Sequence, residues 1–212
     1  MNGYKGAVHK RFDSLADAEL FVRHASPPCP LARSRDATGE SEQKRLTTVV
    51  YTDGSCLANA NVGAGQSDAG WAFVALENGT VVAERSGRVV VDSEGAAFRG
   101  AEHGSNNTGE LTAVIEAILW ARNRTHPTDE LVVRYDSQYA ANMTDGSWTP
   151  TRNFALVASA RSVHASALRV MDISFEHVRA HSGDDMNERA DRLARSAVTP
   201  AVLPEPPRRS TA

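Results

Sequence analysis

The sequence has 212 residues, 41% of them hydrophobic, which is enough to bury the core of one ordinary domain with a short appendage. It contains no apolar run of about 18 residues that would span a membrane, and its N-terminus lacks the apolar core of a secretory signal. Its two cysteines, Cys29 and Cys56, exclude a disulfide framework, so we expect an intracellular protein, its compartment left open. We also expect a monomer without membrane contact.

Charge is distributed unevenly along the chain, although the net charge is only −3. Residues 1–45 carry eight Lys or Arg and six Asp or Glu, whereas residues 46–200 carry thirteen Arg, no Lys and nineteen Asp or Glu. This acidic body argues against tight DNA binding by electrostatics alone. It is compatible with a carboxylate-rich site whose charge is offset by divalent cations.

Composition divides the sequence into four regions. Residues 1–24 predict a small unit with one strand and one helix, and residues 25–45 predict a linker because they contain three prolines and many small or charged residues. Residues 46–199 form the predicted main domain. The proline-rich tail, residues 200–212, predicts a disordered end.

The main domain alternates strand and helix patterns. It begins with three predicted antiparallel strands and a glycine-containing loop, and apolar residues at helical spacing follow. The predicted strands are 46–54, 69–76, 80–87, 131–136 and 170–178, the loop is 92–107, and the predicted helices are 108–124, 137–143, 151–167 and 184–198. This order predicts an α/β fold with a five-stranded mixed sheet, three antiparallel strands followed by two parallel ones, flanked by helices.

Four acids occupy informative positions in these elements. Asp53 ends the first strand, Asp136 ends the fourth, Glu110 begins the long helix and Asp191 lies on the last helix. If the first and fourth strands are parallel neighbours, Asp53 and Asp136 meet at the sheet edge where α/β folds gather their ligands. Glu110 can reach the same point from a helix packed on the sheet.

Each acid also has a purely structural interpretation. Asp53 precedes a glycine and could belong to a turn. Asn107 and Glu110 have the spacing of a helix capping box. Asp136 could cap the helix that follows it, and Asp191 could form an ion pair along its own helix. The convergence of all four acids on one predicted edge favours a shared site.

A shared site of this kind needs cations, because clustered carboxylates repel each other. Mg²⁺ is the expected ion, since it prefers oxygen ligands and keeps waters that a substrate phosphate can displace. Two such ions about 3.5–4 Å apart can activate a water and stabilise the leaving oxygen in phosphodiester hydrolysis.

Four short motifs contain these acids: YTDGSC at 51–56, NNTGEL at 106–111, YDSQY at 135–139 and HVRAHSGDDMNERADRLAR at 177–195. In order and spacing they resemble the type 1 ribonuclease H family, over roughly residues 47–198. The resemblance implies the ribonuclease H-like sheet and an endonuclease that hydrolyses the RNA strand of RNA–DNA hybrids. It also implies two-metal-ion catalysis that leaves 5′-phosphate and 3′-hydroxyl ends.

The resemblance assigns a catalytic set of five residues. It implies that Asp53, Glu110, Asp136 and Asp191 hold two Mg²⁺ ions, for which Mn²⁺ can substitute. His181 is similar to a loop histidine of the family that assists proton transfer or product release, a role that suits imidazole because its pKa lies near neutrality. Without the motif, His181 would be interpreted as a solvated loop residue.

The resemblance also implies contacts with the hybrid. Amide side chains can donate to and accept from the 2′-hydroxyls that distinguish RNA from DNA. Each of these residues could instead make only loop or cap hydrogen bonds. The expected minor-groove contacts are Asn59, Asn106, Asn107 and Gln138, the expected pocket for a DNA-strand phosphate is Ser105 with Asn153, and the expected contact with an RNA phosphate is Asn187.

Three features depart from the family pattern. The stretch 142–161 replaces a basic, Trp-containing protrusion and contains only Trp148 and two arginines, which predicts a weaker grip on the DNA strand. The stretch 92–104 is long and has no assigned role. Residues 3–22 are similar to the second half of a hybrid-binding domain whose first half is absent, or they form a surface helix with a basic strand.

Three other functions fit parts of the pattern. Another nuclease or a transposase of the same fold would share the carboxylates but differ in the last acid and lack the loop with His181. A hybrid-binding protein with an inactive site is disfavoured because all four acids are present. A domain excised from a reverse transcriptase is disfavoured because no polymerase sequence accompanies it.

Overall fold

The structure is a computed structural model, and it describes residues 45–57, 68–124, 128–179 and 183–199. The predictions for the N-terminal unit, the linker and the tail fall outside these residues, as do those for Asn59 and His181. Among the helices of the described ranges, none has the length and apolar character needed to cross a membrane.

A five-stranded sheet organises the main domain, with strand order β3-β2-β1-β4-β5. Strands β1, β2 and β3 pair antiparallel, and β4 and β5 continue the sheet in parallel with β1. The predicted fold class, including the parallel pairing of the first and fourth strands, is therefore confirmed. The strands are β1 (Thr47–Cys56), β2 (Ala69–Glu77), β3 (Thr80–Arg88), β4 (Glu130–Tyr135) and β5 (Asp172–His177).

Four helices flank the sheet: α1 (Asn106–Arg122), α2 (Gln138–Asp145), α3 (Phe154–Ala167) and α4 (Asp185–Val198). Helix α1 begins earlier than predicted because Ser105 caps it in a reciprocal capping box with Thr108. The interpretation of Asn107 and Glu110 as the capping box is therefore wrong.

The two faces of the sheet bury different apolar sets. Helix α1 packs on β1 and β2 and against α2 and α3, and its fully buried Leu111, Ile115 and Ile118 form the main core with Phe73. On the opposite face, Ala190 of α4 packs on Tyr51 and Val74. Successive residues of β1 and β2 point to opposite faces of the sheet, so the same strands contribute side chains to both apolar clusters.

Two glycines allow α1 to approach β1 at main-chain distance. A Cβ atom at Gly54 would lie 2.0 Å from the backbone nitrogen of Glu110, and one at Gly109 would lie 3.0 Å from the Cα atom of Gly54. Because any side chain at either position would clash with backbone, only glycine permits this packing. The first turn of α1 therefore lies directly on the end of β1.

Candidate active site

Strand pairing brings Asp53 and Asp136 to the same edge of the sheet. Thr52 of β1 pairs in parallel with Tyr135 of β4, and the next residue along the chain is an acid in each case. Asp136 directly follows β4, whereas Asp53 lies where the pairing with β4 ends and not at the end of β1 as expected, because β1 continues to Cys56 beside β2. The two acids nevertheless meet at one edge of the sheet, as expected from the sequence.

Glu110 joins these acids from the helix side. The close approach of α1 to Gly54 places Glu110 over the end of β1. One carboxylate oxygen from each of Asp53, Glu110 and Asp136 can be chosen so that all three atoms lie within 4.8 Å of one another. Three of the four predicted metal ligands thus form one compact group, which we call the carboxylate cluster.

Burial and mutual repulsion make the carboxylate cluster electrostatically unfavourable when all its members are ionised. Asp53 is only 5% exposed, and burial, followed by the charges of Asp136 and Asp191, raises its pKa to about 8. Burial, followed by the charges of Asp53 and Asp136, also raises the pKa of Glu110 well above its ordinary value. A hydrogen bond between the two side chains lowers the pKa of Asp53 and raises that of Glu110, as expected for a shared proton.

The carboxylate cluster fits a divalent cation. Among the described residues, no Arg or Lys forms an ion pair with Asp53, Glu110 or Asp136. The Oε2 atom of Glu110 is buried without a hydrogen-bond partner, a costly state unless another group satisfies it. Carboxylate oxygens are the ligands that hard divalent cations prefer, and such a cation would lower the raised pKa values.

Asp191 stands apart from the three clustered acids. It lies on α4 and is 22% exposed, and its Oδ1 atom is 2.8 Å from the Nε atom of Arg195. The ion pair that sequence spacing allowed is therefore present. The charge of Asp191 nevertheless raises the pKa of Asp53, so Asp191 acts on the carboxylate cluster electrostatically.

Asn187 makes a contact that the sequence analysis missed. Its side-chain amide is 4% exposed and donates from Nδ2 to the Oδ2 atom of Asp136 at 3.3 Å, one helical turn before Asp191. Its Oδ1 atom is buried without a partner. The i, i+4 spacing of Asn187 and Asp191 on one helix face was the signal that could have linked Asn187 to the acids.

The other predicted substrate residues surround the first turns of α1, α2 and α3. Ser105 is 2% exposed and caps α1, while Asn106 and Asn107 open that helix. Gln138 is exposed at the start of α2. Asn153 precedes α3 with a left-handed backbone, and its Nδ2 atom donates to the Tyr139 hydroxyl at 3.0 Å.

Sequence comparison agrees with this fold. Residues 45–199 match the family model described as RNase H. A ribonuclease H of Nitratidesulfovibrio vulgaris is 33% identical over 173 residues, which are 77% of this chain and 96% of that protein. A ribonuclease H of Rhodopseudomonas palustris is 32% identical over 169 residues, covering 75% of this chain and 94% of that protein.

Solved structures agree as well. RNase H1 from Halobacterium salinarum superposes with a TM-score of 0.53 at 25% identity, over 71% of this chain and 96% of its own. The N-terminal RNase H domain of a Mycobacterium tuberculosis protein, at 24% identity, shares the fold with a TM-score of 0.54 over 72% of this chain and 94% of its own. The chain belongs to the RNase H family. It is a ribonuclease H enzyme, a nuclease for the RNA of RNA–DNA hybrids in a family that uses divalent metals.

Proposed function

We propose that this enzyme cuts internal bonds of the RNA strand of RNA–DNA hybrids and leaves 5′-phosphate and 3′-hydroxyl ends. The observation that carries the proposal is the carboxylate cluster, whose three oxygens lie within 4.8 Å and whose charge no Arg or Lys of the described residues neutralises. Asp53, Glu110, Asp136 and Asp191 would hold two Mg²⁺ ions, or Mn²⁺ in their place. When bound, such ions lower the pKa of a water and stabilise the leaving oxygen.

The chain's own residues hold these ligands in position. Main-chain packing at Gly54 fixes Asp53 relative to Glu110. Asn187 restrains Asp136 by donating to its carboxylate, and Arg195 restrains Asp191. Side chains fixed in this way are preorganised, so little reorganisation is needed at the moment of reaction.

Proton transfer is proposed for His181. The residue follows β5 and precedes α4 in the sequence, between the strand beside β4 and the helix that carries Asp191. An imidazole there can take or give a proton near neutral pH. We assign it an assisting role, as a general acid or base or in product release.

Recognition of the hybrid is proposed for the polar residues around the carboxylate cluster. Minor-groove amides adjacent to the cut would read the 2′-hydroxyls of the RNA strand, and a separate pocket would hold a DNA-strand phosphate. Asn106 and Asn107 support this because they open the helix that carries Glu110. The proposed minor-groove residues are Asn59, Asn106, Asn107 and Gln138; Ser105 and Asn153 form the proposed DNA-phosphate pocket, and Asn187 is proposed for an RNA phosphate.

The chain outside the catalytic domain is proposed to assist binding. We place that domain at residues 46–199, a linker at 25–45 and a hybrid-binding-like segment at 1–24. Its Lys5, Lys10 and Arg11 can meet phosphates, and tethering would raise the local concentration of substrate. The tail, residues 200–212, has no proposed role.

One gel experiment tests the proposal. Labelled RNA–DNA hybrid, RNA duplex and DNA duplex are incubated with the full chain in Mg²⁺ or in EDTA, and the product ends are mapped. We expect internal cuts only in hybrid RNA and only with metal, with 5′-phosphate ends. Products with 2′,3′-cyclic phosphate would contradict the mechanism, because they show attack by the ribose hydroxyl rather than by water.

A further inference from the structure

Asn153, the residue before α3, combines backbone strain with an unsatisfied buried atom. Its backbone is left-handed, with φ 54° and ψ 38°, a region that residues other than glycine seldom occupy and that costs energy. It is 6% exposed, and its Oδ1 atom is buried without a hydrogen-bond partner among the described residues. A fold keeps such features where they serve binding, so the surroundings of Asn153 indicate how it binds.

The side chain of Asn153 does not cap α3, although asparagine is a preferred capping residue. A capping side chain would accept from N–H groups of the first turn. The amide instead faces Tyr139, the second residue of α2, and donates from Nδ2 to its hydroxyl at 3.0 Å. The first turn of α3, a helix of 14 residues, therefore receives no cap from Asn153, and such an N-terminus favours an anion.

Main-chain packing connects Asn153 with the other half of the proposed DNA-phosphate pocket. Gly100, five residues before Ser105, has a φ of +102°, and a Cβ atom there would lie 2.7 Å from the backbone carbon of Ala155. The chain that leads to Ser105 thus rests on the first turn of α3. Ser105 itself is 2% exposed and is fixed as the cap of α1. Because the main chain on both sides is fixed, the orientation of the Asn153 amide becomes decisive.

Two hydrogen-bond donors remain on the side chains of Asn153 and Tyr139. Nδ2 carries two hydrogens, and the bond to Tyr139 uses one of them. The hydroxyl accepts in that bond, so its own hydrogen remains to be donated, and it has no other hydrogen-bond partner in the described ranges. The two donor atoms are 3.0 Å apart, so the several oxygens of one phosphate can accept from both.

The hydroxyl of Tyr139 also determines which end of the amide is buried. With Nδ2 bound to Tyr139, Oδ1 is the buried end. The reverse orientation would bury the two N–H donors and offer the phosphate an acceptor, which would repel it. The two ends of an amide are nearly equal in size, so their hydrogen bonds decide the orientation. Loss of the hydroxyl would therefore remove the contact that keeps Nδ2 available.

We propose that Tyr139 is a further residue of the DNA-phosphate pocket. Its hydroxyl orients the Asn153 amide and donates, beside Nδ2, to one phosphate of the DNA strand, which also faces the N-terminus of α3. This inference rests on the proposed function, since the pocket named there is its site. In a purely structural alternative, the bond only ties α2 to α3, which predicts altered stability without altered phosphate recognition.

Hybrid binding by the full chain, measured by fluorescence anisotropy in Ca²⁺, tests the inference separately from cleavage. Each hybrid carries one uncharged methylphosphonate at a different position of the DNA strand. For the wild type we expect one position at which this change weakens binding about tenfold. Tyr139→Phe keeps the ring and removes only the hydroxyl. It should bind unmodified hybrid about three- to tenfold more weakly, and the penalty at that one position should shrink correspondingly.

Matched variants separate this role from a general loss of a hydroxyl. Tyr51→Phe removes a hydroxyl that accepts from Arg134 at 2.6 Å on the opposite face of the sheet, and it should leave the binding pattern unchanged. Asn153→Gly keeps the left-handed backbone without the amide. Combined with Tyr139→Phe, it should weaken binding by less than the product of the two single effects, because the two side chains act together.

The outcomes for Tyr139 and for the proposed function are distinguishable. Unchanged affinity in Tyr139→Phe would overturn the inference, and so would weaker affinity with the full methylphosphonate penalty retained, since the hydroxyl would then be structural. In Mg²⁺, Tyr139→Phe should raise KM and leave kcat close to that of the wild type. If the wild type cut no hybrid in Mg²⁺, the proposed function would fail, while the binding pattern would still decide the role of Tyr139.

Discussion

The acidic side chains at the two ends of helix α1 have opposite electrostatic surroundings. Near its last turns, Glu116 pairs with Arg99, and Arg124, just beyond the helix, pairs with Glu77. At its first turn, Glu110 meets two further carboxylates, and no Arg or Lys of the described residues pairs with that group. The protein itself neutralises one end, whereas the other end has no neutralising Arg or Lys among the described residues and is the proposed site of a divalent cation.

The consequences for stability follow from this difference. The hydrogen bond from Arg124 lowers the pKa of Glu77, so this acid favours the folded state when ionised. Asp53 and Glu110 have raised pKa values, so their ionisation opposes folding until a cation is present. A substitution in the carboxylate cluster should therefore lower activity without lowering stability. A substitution at the pair of Glu77 and Arg124 should lower stability and leave activity intact.

Asp53→Asn should produce the largest effect on activity. It replaces an anionic ligand with a neutral one of equal size, and hydrolysis of labelled hybrid in Mg²⁺ should fall by about 10³-fold or more, since several kcal/mol of transition-state stabilisation are lost. The same variant should melt at a higher temperature than the wild type in EDTA, because it removes a buried ionisable group and its repulsion with Asp136. Asp172→Asn, whose carboxylate pairs with Arg45 on the exposed edge strand β5, is the control. Near-normal cleavage by Asp53→Asn would remove the basis of the metal site.

The pH dependence of stability sharpens the comparison. The pKa of Asp53 is about 8 in the folded protein against an ordinary 3.8, so the folded state holds this proton more tightly. Its contribution to stability is therefore present at acid pH and is lost as the pH rises from about 4 to about 8. In EDTA, the melting temperature of the wild type should fall relative to that of Asp53→Asn over this range, and Mg²⁺ affinity should rise. Parallel curves for the two proteins would contradict the assignment.

Glu77→Gln should lower stability and leave activity normal, which is the opposite of the outcome expected for Asp53→Asn. It leaves Arg124 without its carboxylate in a site where the two side chains are 19% and 15% exposed. The free energy of unfolding in urea should fall by about 1–3 kcal/mol, the cost of an unsatisfied partly buried group, while hydrolysis below the melting transition stays normal. Glu176→Gln breaks a more exposed pair with Arg134 and should cost less than about 1 kcal/mol. A large loss of activity in Glu77→Gln would show that the two ends are coupled.

Arg195→Gln should give the smallest effect. Arg195 is 60% exposed, and exposed pairs contribute up to about 1 kcal/mol. Loss of its contact with Asp191 should therefore raise the Mg²⁺ concentration for half-maximal activity by about fivefold or less. Arg192→Gln, which breaks a 3.9 Å pair with Glu188 on the same helix, should leave the Mg²⁺ requirement unchanged. Equal shifts in both variants would indicate general charge effects.

Much of the site was predictable because it depends on strand order. Apolar periodicity indicated β1 and β4, and the helix between them allowed them to be parallel neighbours, an arrangement that brings Asp53 and Asp136 together. The place of Glu110 also followed from its position at the start of a helix that must pack on that sheet. Backbone topology thus determines these positions almost without regard to side-chain detail.

Other contacts depend on tertiary distances that no local pattern encodes. The hydrogen bond from Asn187 to Asp136 joins residues 51 positions apart. Helix α1 is capped by Ser105 with Thr108, although Asn107 and Glu110 have the same spacing in the sequence. The bulge at Val82 arises from the pairing register of β2 and β3 rather than from composition. The ion pair of Arg99, in the 92–104 stretch, with Glu116 of α1 is likewise a tertiary contact that no local pattern indicates.

The contact between Gly54 and Gly109 has a consequence for anyone redesigning this enzyme. Side chains in a core can adopt new rotamers around a substitution, but main-chain atoms already in contact leave no such freedom. The distance between Asp53 and Glu110 should therefore stay the same when the apolar residues beneath α1 are changed, so long as both glycines remain. Even a single methyl group at either glycine would have to displace the whole helix.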